Sequence, residues 1–462
     1  MNPLNYSHVF FLGIGGIGMS ALARYFAHYN FKVSGYDKTR TTLCAELENE
    51  GIQIHYEENE FQIRSLIEKT GAENILVVYT PAVPKEHIAF EIFASHNIKL
   101  FKRAEILGGI SKQFKTLAVS GTHGKTTTST LLFHILNVAK KNVIGFLGGI
   151  SNNYSGNLVF GNPESEGPSL MVVEADEYDR SFLQLFPYAA IVTSTDADHL
   201  DIYKDQSEIL KSFELFCNQV DPDGILLVKK NVDNTLSLNK ERLNYAVNLE
   251  ADFVAQNIEV RETEFYFDLV CKGETISNLH LGIPGVHNIE NAVAACGLAK
   301  KLGVSNEEIR QALRSFKGVK RRFEFRIKSE KIVYIDDYAH HPEELKATIT
   351  AARDLFPNKK ITGVFQPHLF SRTKDFADEF AQSLDLLDEV ILLEIYPARE
   401  KPITGITSEM LIEKMKCSKK RVSDKKELVE NLIKWNPEVI ISMGAGDIDL
   451  LVPEIELALL QK

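Results

Sequence analysis

The sequence predicts an α/β protein made of several successive units. A four-residue apolar run followed by a glycine-rich turn and a helix-periodic segment stands near the start, and a second such run begins close to residue 115. A third alternation of apolar runs and helical segments starts beyond residue 325. At 462 residues the chain exceeds what one hydrophobic core accommodates, so roughly two to four domains are expected.

The first ~105 residues begin as a βαβ unit. His8 to Leu12 reads as a strand, Met19 to Tyr29 as a helix with Leu22, Tyr25, Phe26 and Tyr29 on one face, and Phe31 to Tyr36 as the next strand. A new domain opens with the strand Thr116 to Val119, the polar turn Ser120 to Lys125, and a helix carrying Leu131, Leu132, Ile135 and Leu136. Leu170 to Val173 and Ala189 to Thr193 read as buried parallel strands that end in polar residues, which is where open α/β sheets place their ligands. Lys317, Lys320, Arg321 and Arg322 around Gly318 mark a charged linker. Beyond it, strands are expected near Ile332–Ile335, Ile361–Phe365, Val390–Leu393 and Val439–Ser442.

Composition narrows the function. A hydrophobic share of 44% and a charged share of 25% are those of a soluble globular protein. With 63 acidic against 52 basic side chains, the net charge of -11 disfavours a nucleic-acid binder. A small polyanion needs only local positive charge and helix N-termini, so it stays possible. Cys44, Cys217, Cys271, Cys296 and Cys417 are scattered and form no Cys-x-x-Cys pair, which fits a reducing cytoplasm better than a disulfide framework or a thiolate metal site. Val9 to Ala23 imitates a signal peptide, ending in Ala21-Leu22-Ala23, but no Lys or Arg precedes it and its glycines suit a turn. No stretch reaches the ~20 apolar residues that span a bilayer.

Several motifs carry chemistry. Gly13-Ile-Gly15-Gly16-Ile17-Gly18 follows a strand, opens a helix and is followed by Asp37 at the end of the next strand, a context suited to a diphosphate at a helix N-terminus. The pattern alone would also fit a nicotinamide dinucleotide. Ser120-Gly121-Thr122-His123-Gly124-Lys125-Thr126-Thr127 resembles a phosphate-binding loop, with Lys125 placed for β/γ-phosphate charge and the Thr126 hydroxyl for Mg²⁺. Only two residues separate its glycines, which disfavours an ordinary GTPase or kinase. Glu174-Ala-Asp176-Glu177 and Asp198-His199 end two successive strands, and together with Thr126 they offer Glu174 and His199 as metal ligands. In His287-Asn288-Ile-Glu-Asn291, the amides could meet a base edge or Asn288 could cap a helix. Asp336-Asp337-Tyr338-Ala-His340-His341-Pro342 pairs two histidines without the third and fourth ligand that structural zinc requires.

In their order and rough spacing, these motifs and the Arg321-Arg322-Phe323 hinge resemble the Mur ligase family along essentially the whole chain. The resemblance implies three domains. Residues 1–107 would be Rossmann-like and bind a UDP-sugar, residues 108–317 would form a central P-loop ATPase with a mostly parallel sheet, and residues 318–462 would form a second Rossmann-like domain for the amino acid. Gly15, Gly16, Ile17, Gly18, Asp37, Thr80 and His123 would then serve the UDP-sugar. Gly121, Thr122, His123, Gly124, Lys125, Thr126, Thr127, Asn288, Asn291, Arg322 and Asp337 would serve ATP. Thr126, Glu174 and His199 would hold the metal, two Mg²⁺ ions with Mn²⁺ as a substitute, and Lys125, Glu174 and His199 would be catalytic. Tyr338, His340 and Arg372 would meet the amino acid.

Within the family, the Gly-Ile-Gly-Gly-Ile-Gly run, His123 in the loop, Arg321-Arg322-Phe323 and Gln366-Pro-His368 look like the member that joins L-alanine to UDP-N-acetylmuramate. That implies a cytoplasmic enzyme of peptidoglycan precursor synthesis, a monomer or weak homodimer, with no nucleic-acid or membrane partner. A ligase that recycles a murein tripeptide shares several of the motifs. A nicotinamide dehydrogenase would rest on the glycine pattern alone. Two positions depart from the pattern: Leu369 stands where Arg usually follows Gln-Pro-His, and Ser194 where Asn commonly precedes the Asp-His pair.

Overall fold

The computed structural model describes residues 6–162, 169–196, 203, 205–398 and 400–461. The chain divides into two compact units, Met1–Val254 with Val293–Ala312, and Ala255–Ala292 with Leu313–Lys462.

The first unit begins with strands β1 (His8–Leu12), β2 (Lys32–Tyr36), β3 (Gln53–His55), β4 (Ile75–Tyr79) and β5 (Leu100–Lys102). They form a wholly parallel sheet in the order β3-β2-β1-β4-β5. The order reverses at β1, so the crevice beyond its carboxyl end is the topological switch point where such sheets bind ligands. The stretch that imitated a signal peptide is β1, the glycine turn and the helix Ile17–His28. Leu22, Tyr25 and Phe26 of that helix are buried as expected, whereas Tyr29 lies just past its end and is 49% exposed.

The same unit continues with β6 (Lys115–Ser120), β7 (Val143–Ser151), β8 (Gly156–Phe160), β9 (Leu170–Glu174), β10 (Pro187–Val192), β11 (Ile225–Lys229) and β12 (Leu243–Val247). Here the order is β12-β11-β10-β6-β9-β7-β8, parallel except for the β7–β8 hairpin. β6, β9 and β10 read Lys-Thr-Leu-Ala-Val-Ser, Leu-Met-Val-Val-Glu and Pro-Tyr-Ala-Ala-Ile-Val, the near-continuous apolar composition of strands covered on both faces.

The two sheets of this unit share one core. Val9, Phe11, Leu22 and Phe26 from the first belong to the same buried cluster as Phe146, Met171, Val173 and Val192 from the second. Tyr25 meets Phe146 at 5.5 Å between ring centroids. Asn157, wholly buried on β8, donates to Ile17 O at 2.6 Å and to Ser20 Oγ at 2.9 Å, and accepts from Arg24 at 2.5 Å. A buried amide needs such partners, and these fix the helix behind the glycine turn against the second sheet.

The second unit contains the antiparallel pair β14 (Glu264–Cys271) and β15 (Glu274–Leu281), preceded in the chain by β13 (Phe253–Arg261). It also holds β16 (Glu324–Lys328), β17 (Val333–Asp337), β18 (Ile361–Phe365), β19 (Glu389–Leu392), β20 (Lys419–Val422) and β21 (Val439–Met443). These six form a sheet in the order β16-β17-β21-β18-β19-β20, in which only β16 runs antiparallel. The three-domain α/β class expected from the sequence is the architecture found. No helix among the described residues is long and apolar enough to cross a membrane.

Candidate active site

The glycine-containing loop expected to bind phosphate joins the carboxyl end of β6 to the helix Lys125–Val138, whose N-cap is Gly124. Gly121 has φ +138, and a Cβ there would lie 2.0 Å from Thr193 Oγ1 and 2.7 Å from Ser194 N. The loop is therefore pressed against the segment that follows β10. Thr193 N donates to Ser120 O at 2.9 Å, and Thr122 N to Ser194 O at 3.2 Å. Ser194 Oγ accepts from His123 N at 2.7 Å and shares a 2.8 Å hydrogen bond with Thr122 Oγ1. Ser194, a departure from the family pattern, thus fastens the loop through its own hydroxyl.

Lys125 opens the helix, and its Nζ donates to Gly121 O at 2.6 Å and to both carboxylate oxygens of Glu177, at 3.0 and 2.8 Å. Burial works against the charged ammonium, but Glu177, Asp176 and Glu174 outweigh it and raise the lysine's pKa, so it stays protonated. Thr126 and Thr127 are buried in the first helical turn. Glu174 ends β9, directly beside β6, in register with Val119. A Cβ on Gly148 of β7 would lie 2.0 Å from Glu174 Oε2, so the missing side chain is what leaves room for that carboxylate. His199, expected to complete the metal set, lies outside the described residues. Among the described residues no three His, Cys, Asp or Glu side chains come together as a metal site.

At the switch point of the first sheet, Gly15 N donates to Asp37 Oδ2 at 2.8 Å and Thr39 N to Asp37 Oδ1 at 3.2 Å. Asp37 therefore braces the glycine turn from below. Thr80, following β4, packs its methyl where a Cβ on Gly13 would lie, 2.4 Å away. Arg103, which the sequence reading did not single out, packs against Gly18: a Cβ there would meet its Nη1 at 2.8 Å. Nothing in the local pattern around Arg103 signals this position, because the approach is made by a helix 85 residues further along the chain, Arg103–Ser111.

In the second unit, the helix Val286–Lys301 begins before Asn288. Asn288 does not cap it: its amide donates back to Pro284 O at 2.6 Å, and Asn291 donates to Asn288 Oδ1 at 3.4 Å. The hinge is strained, with Arg321 at φ +58 and Phe323 at φ +49. Arg321 is tied to the sheet through Asp336 Oδ2 (2.9 Å) and Gly444 O (2.8 Å). Asp337 accepts Phe323 N and Ala339 N, both at 2.7 Å. Burial pushes its carboxyl up to about 6, while Arg322 and the two amides pull the other way. His287 is driven down to about 4 by burial and by Arg322, so its ring is neutral at pH 7.

Arg322 stands 5.1 Å from the Tyr338 ring and 3.9 Å from Glu344 Oε1, and His340 Nδ1 lies 3.2 Å from Glu344 Oε2. The structure thus brings Arg322 and His340 to Glu344, with Tyr338 against Arg322, and nothing in the local sequence marks this acid in the first turn of the helix Pro342–Leu355. His341 packs edge-on against Phe376 at 4.8 Å, a ring contact unrelated to zinc ligation. Arg372 is buried in the short helix Phe370–Asp375. Leu369, the other departure, is 8% exposed with φ +71, so its side chain packs inward where the family pattern has a cation.

Comparison with known proteins gives this geometry a context. Residues 8–115 match the description "Mur ligase family, catalytic domain", residues 119–299 "Mur ligase middle domain", and residues 321–446 "Mur ligase, glutamate ligase domain". The UDP-N-acetylmuramate--L-alanine ligase of Christiangramia forsetii is 49% identical over 463 residues, covering 100% of both chains. The solved UDP-N-acetylmuramate-alanine ligase of Thermotoga maritima superposes with a TM-score of 0.82 at 28% identity, over 98% of this chain and 100% of that one. A murein peptide ligase from Psychrobacter arcticus shares the fold, with a TM-score of 0.70 at 21% identity over 98% of each chain. With matched regions in all three domains and a full-length relative at this identity, the chain belongs to the Mur ligase family.

Proposed function

We propose that the chain ligates L-alanine to the lactyl carboxylate of UDP-N-acetylmuramate at the expense of ATP, in cytoplasmic peptidoglycan precursor synthesis. The observation that carries this reading is Lys125 on its short loop, flanked by Glu174 at the end of the neighbouring strand, in a chain 49% identical over its whole length to an L-alanine ligase. Residues 1–107 bind the UDP-sugar at the glycine turn, 108–317 bind ATP, and 318–462 bind the amino acid. Tyr338, His340 and Arg372 face the amino acid, and Asn288, Asn291, Arg322 and Asp337 serve the nucleotide.

A carboxylate does not accept an amine at neutral pH, because oxide would have to leave. In this mechanism the lactyl carboxylate attacks the γ-phosphorus in line, ADP departs, and an acyl phosphate forms. Lys125 neutralises charge on the phosphoryl oxygens. The alanine amine then adds to the acyl carbon and expels phosphate, leaving the amide. Excluding water protects the acyl phosphate from hydrolysis.

The residues present suit Mg²⁺: a hydroxyl from Thr126 and a carboxylate from Glu174 are hard oxygen donors, and Gly148 keeps space open beside the carboxylate. Bound there, the ion would polarise phosphate oxygens. Gly148→Ala tests this placement, since the new methyl would force the Glu174 carboxylate aside. Turnover at saturating Mg²⁺ is expected to fall about 100-fold with the unfolding midpoint little changed. Unaltered turnover would remove Glu174 from the site.

The reading itself is tested by phosphate release from ATP. Release is expected only when UDP-N-acetylmuramate and L-alanine are both present. Release that ignores either one contradicts it.

A further inference from the structure

A buried ion pair on the Gly121–Lys125 loop plays no part in the mechanism above. Glu177 is 1% exposed, and both of its carboxylate oxygens bind the Lys125 ammonium. Its place is held from several sides. Glu177 O accepts Tyr203 Oη at 2.6 Å and Arg180 N at 2.9 Å, and Tyr178 N donates to Asp176 Oδ1 at 3.1 Å. The next turn carries two consecutive non-glycine residues in left-handed backbone, Asp179 at φ 52 and Arg180 at φ 53. Such strain persists only where the surroundings enforce it. An ammonium has three N–H groups. Here, among the described residues, Gly121 O and Glu177 take the short bonds, and a longer 3.3 Å contact to Thr122 O is the one left to exchange for phosphate.

We propose that Glu177 is a positioning residue for the ATP-dependent step: it holds the Lys125 ammonium in register for the terminal phosphates and competes with them for it. The proposal rests on reading the loop as the ATP site. A carboxylate so placed weakens ground-state nucleotide binding, because phosphate and Glu177 are both anions drawn to one cation. It also presets the lysine for the charge that develops during transfer. Binding forgone in the ground state and recovered in the transition state raises the rate.

The consequence is a split between affinity and turnover that loss of structure does not produce. Glu177→Gln keeps the shape and one acceptor but removes the charge. Its Kd for ADP, titrated without acceptor or amino acid, is expected to fall about tenfold, while kcat for alanine-dependent phosphate release also falls about tenfold. Weaker or unchanged ADP binding overturns the proposal.

Glu177→Gln leaves a buried cation without its partner and could unfold the loop. The double variant Lys125→Met with Glu177→Gln removes both charges and avoids that problem. In the Lys125→Met background, Glu177→Gln is expected to leave ADP affinity unchanged, and a further change there shows that Glu177 does not act through Lys125. Wild-type protein that binds no ADP contradicts the ATP reading as a whole. Wild-type binding without tightening in Glu177→Gln contradicts this proposal alone.

Discussion

Lys125→Ala is expected to lower alanine-dependent phosphate release by ~1,000-fold or more, because it removes the cation that meets the phosphoryl oxygens as their charge is redistributed. The fold should tolerate the change only in part. Glu177 would lose the partner that both of its oxygens bind, and the loop carbonyl of Gly121 would lose its donor. Removing one partner of a buried ion pair is destabilising by about 3–5 kcal/mol, unless the carboxylate takes up a proton instead. The rate must therefore be measured on protein whose unfolding transition has been checked. Release within tenfold of wild type would take Lys125 out of the mechanism.

The second large effect is expected from Gly121→Ala. The added methyl meets Thr193 Oγ1 at 2.0 Å, Ser194 N at 2.7 Å and Ser194 O at 3.0 Å, and two of these three atoms are backbone that cannot swing aside. The residue must also hold φ +138, which an L side chain rarely adopts. The loop has to part from the segment after β10, breaking the hydrogen bonds that Ser194 makes to Thr122 and His123. A loss of about 2–4 kcal/mol in the stability of the first unit is expected, together with loss of measurable ATP binding. Urea unfolding and ADP titration of the same preparation check both. Normal affinity in a stably folded variant would show that the contact between the loop and Ser194 is dispensable.

How much of this was legible in the sequence follows from which strands are covered on both faces. β1, β18 and the strands around the phosphate loop read clearly because contiguous apolar residues leave no competing pattern. The hairpins near residues 253–281 did not. β14 alternates buried and half-buried residues, and the turn before it places Glu262 at φ 51 and Thr263 at φ 62, without the Asn-Gly or Asp-Gly that signals a hairpin.

The site divides in a similar way. Lys125, Thr126 and Glu174 sit where a strand ends and a helix begins, so local spacing was enough to locate them. Glu177 was visible in its motif, yet its bond to Lys125 crosses 52 positions and depends on two left-handed residues that no propensity favours. Nothing in the sequence marks Asn157, and only the fold buries it against Ile17 and Ser20. The sequence left Asn288 as either a cap or a base-edge contact, and the structure removes the cap because the helix starts two residues earlier, at Val286. Ser194 departs from the family pattern, and the structure gives its hydroxyl two partners in the loop.

The most direct test of the central claim is the mass of the product formed from UDP-N-acetylmuramate, ATP and Mg²⁺ when L-alanine and the L-Ala-γ-D-Glu-diaminopimelate tripeptide are offered in separate reactions. A nucleotide heavier by one alanyl residue, formed with L-alanine and matched by equal phosphate release, is the expected result. Product with the tripeptide alone, or phosphate release without any amide product, would contradict it.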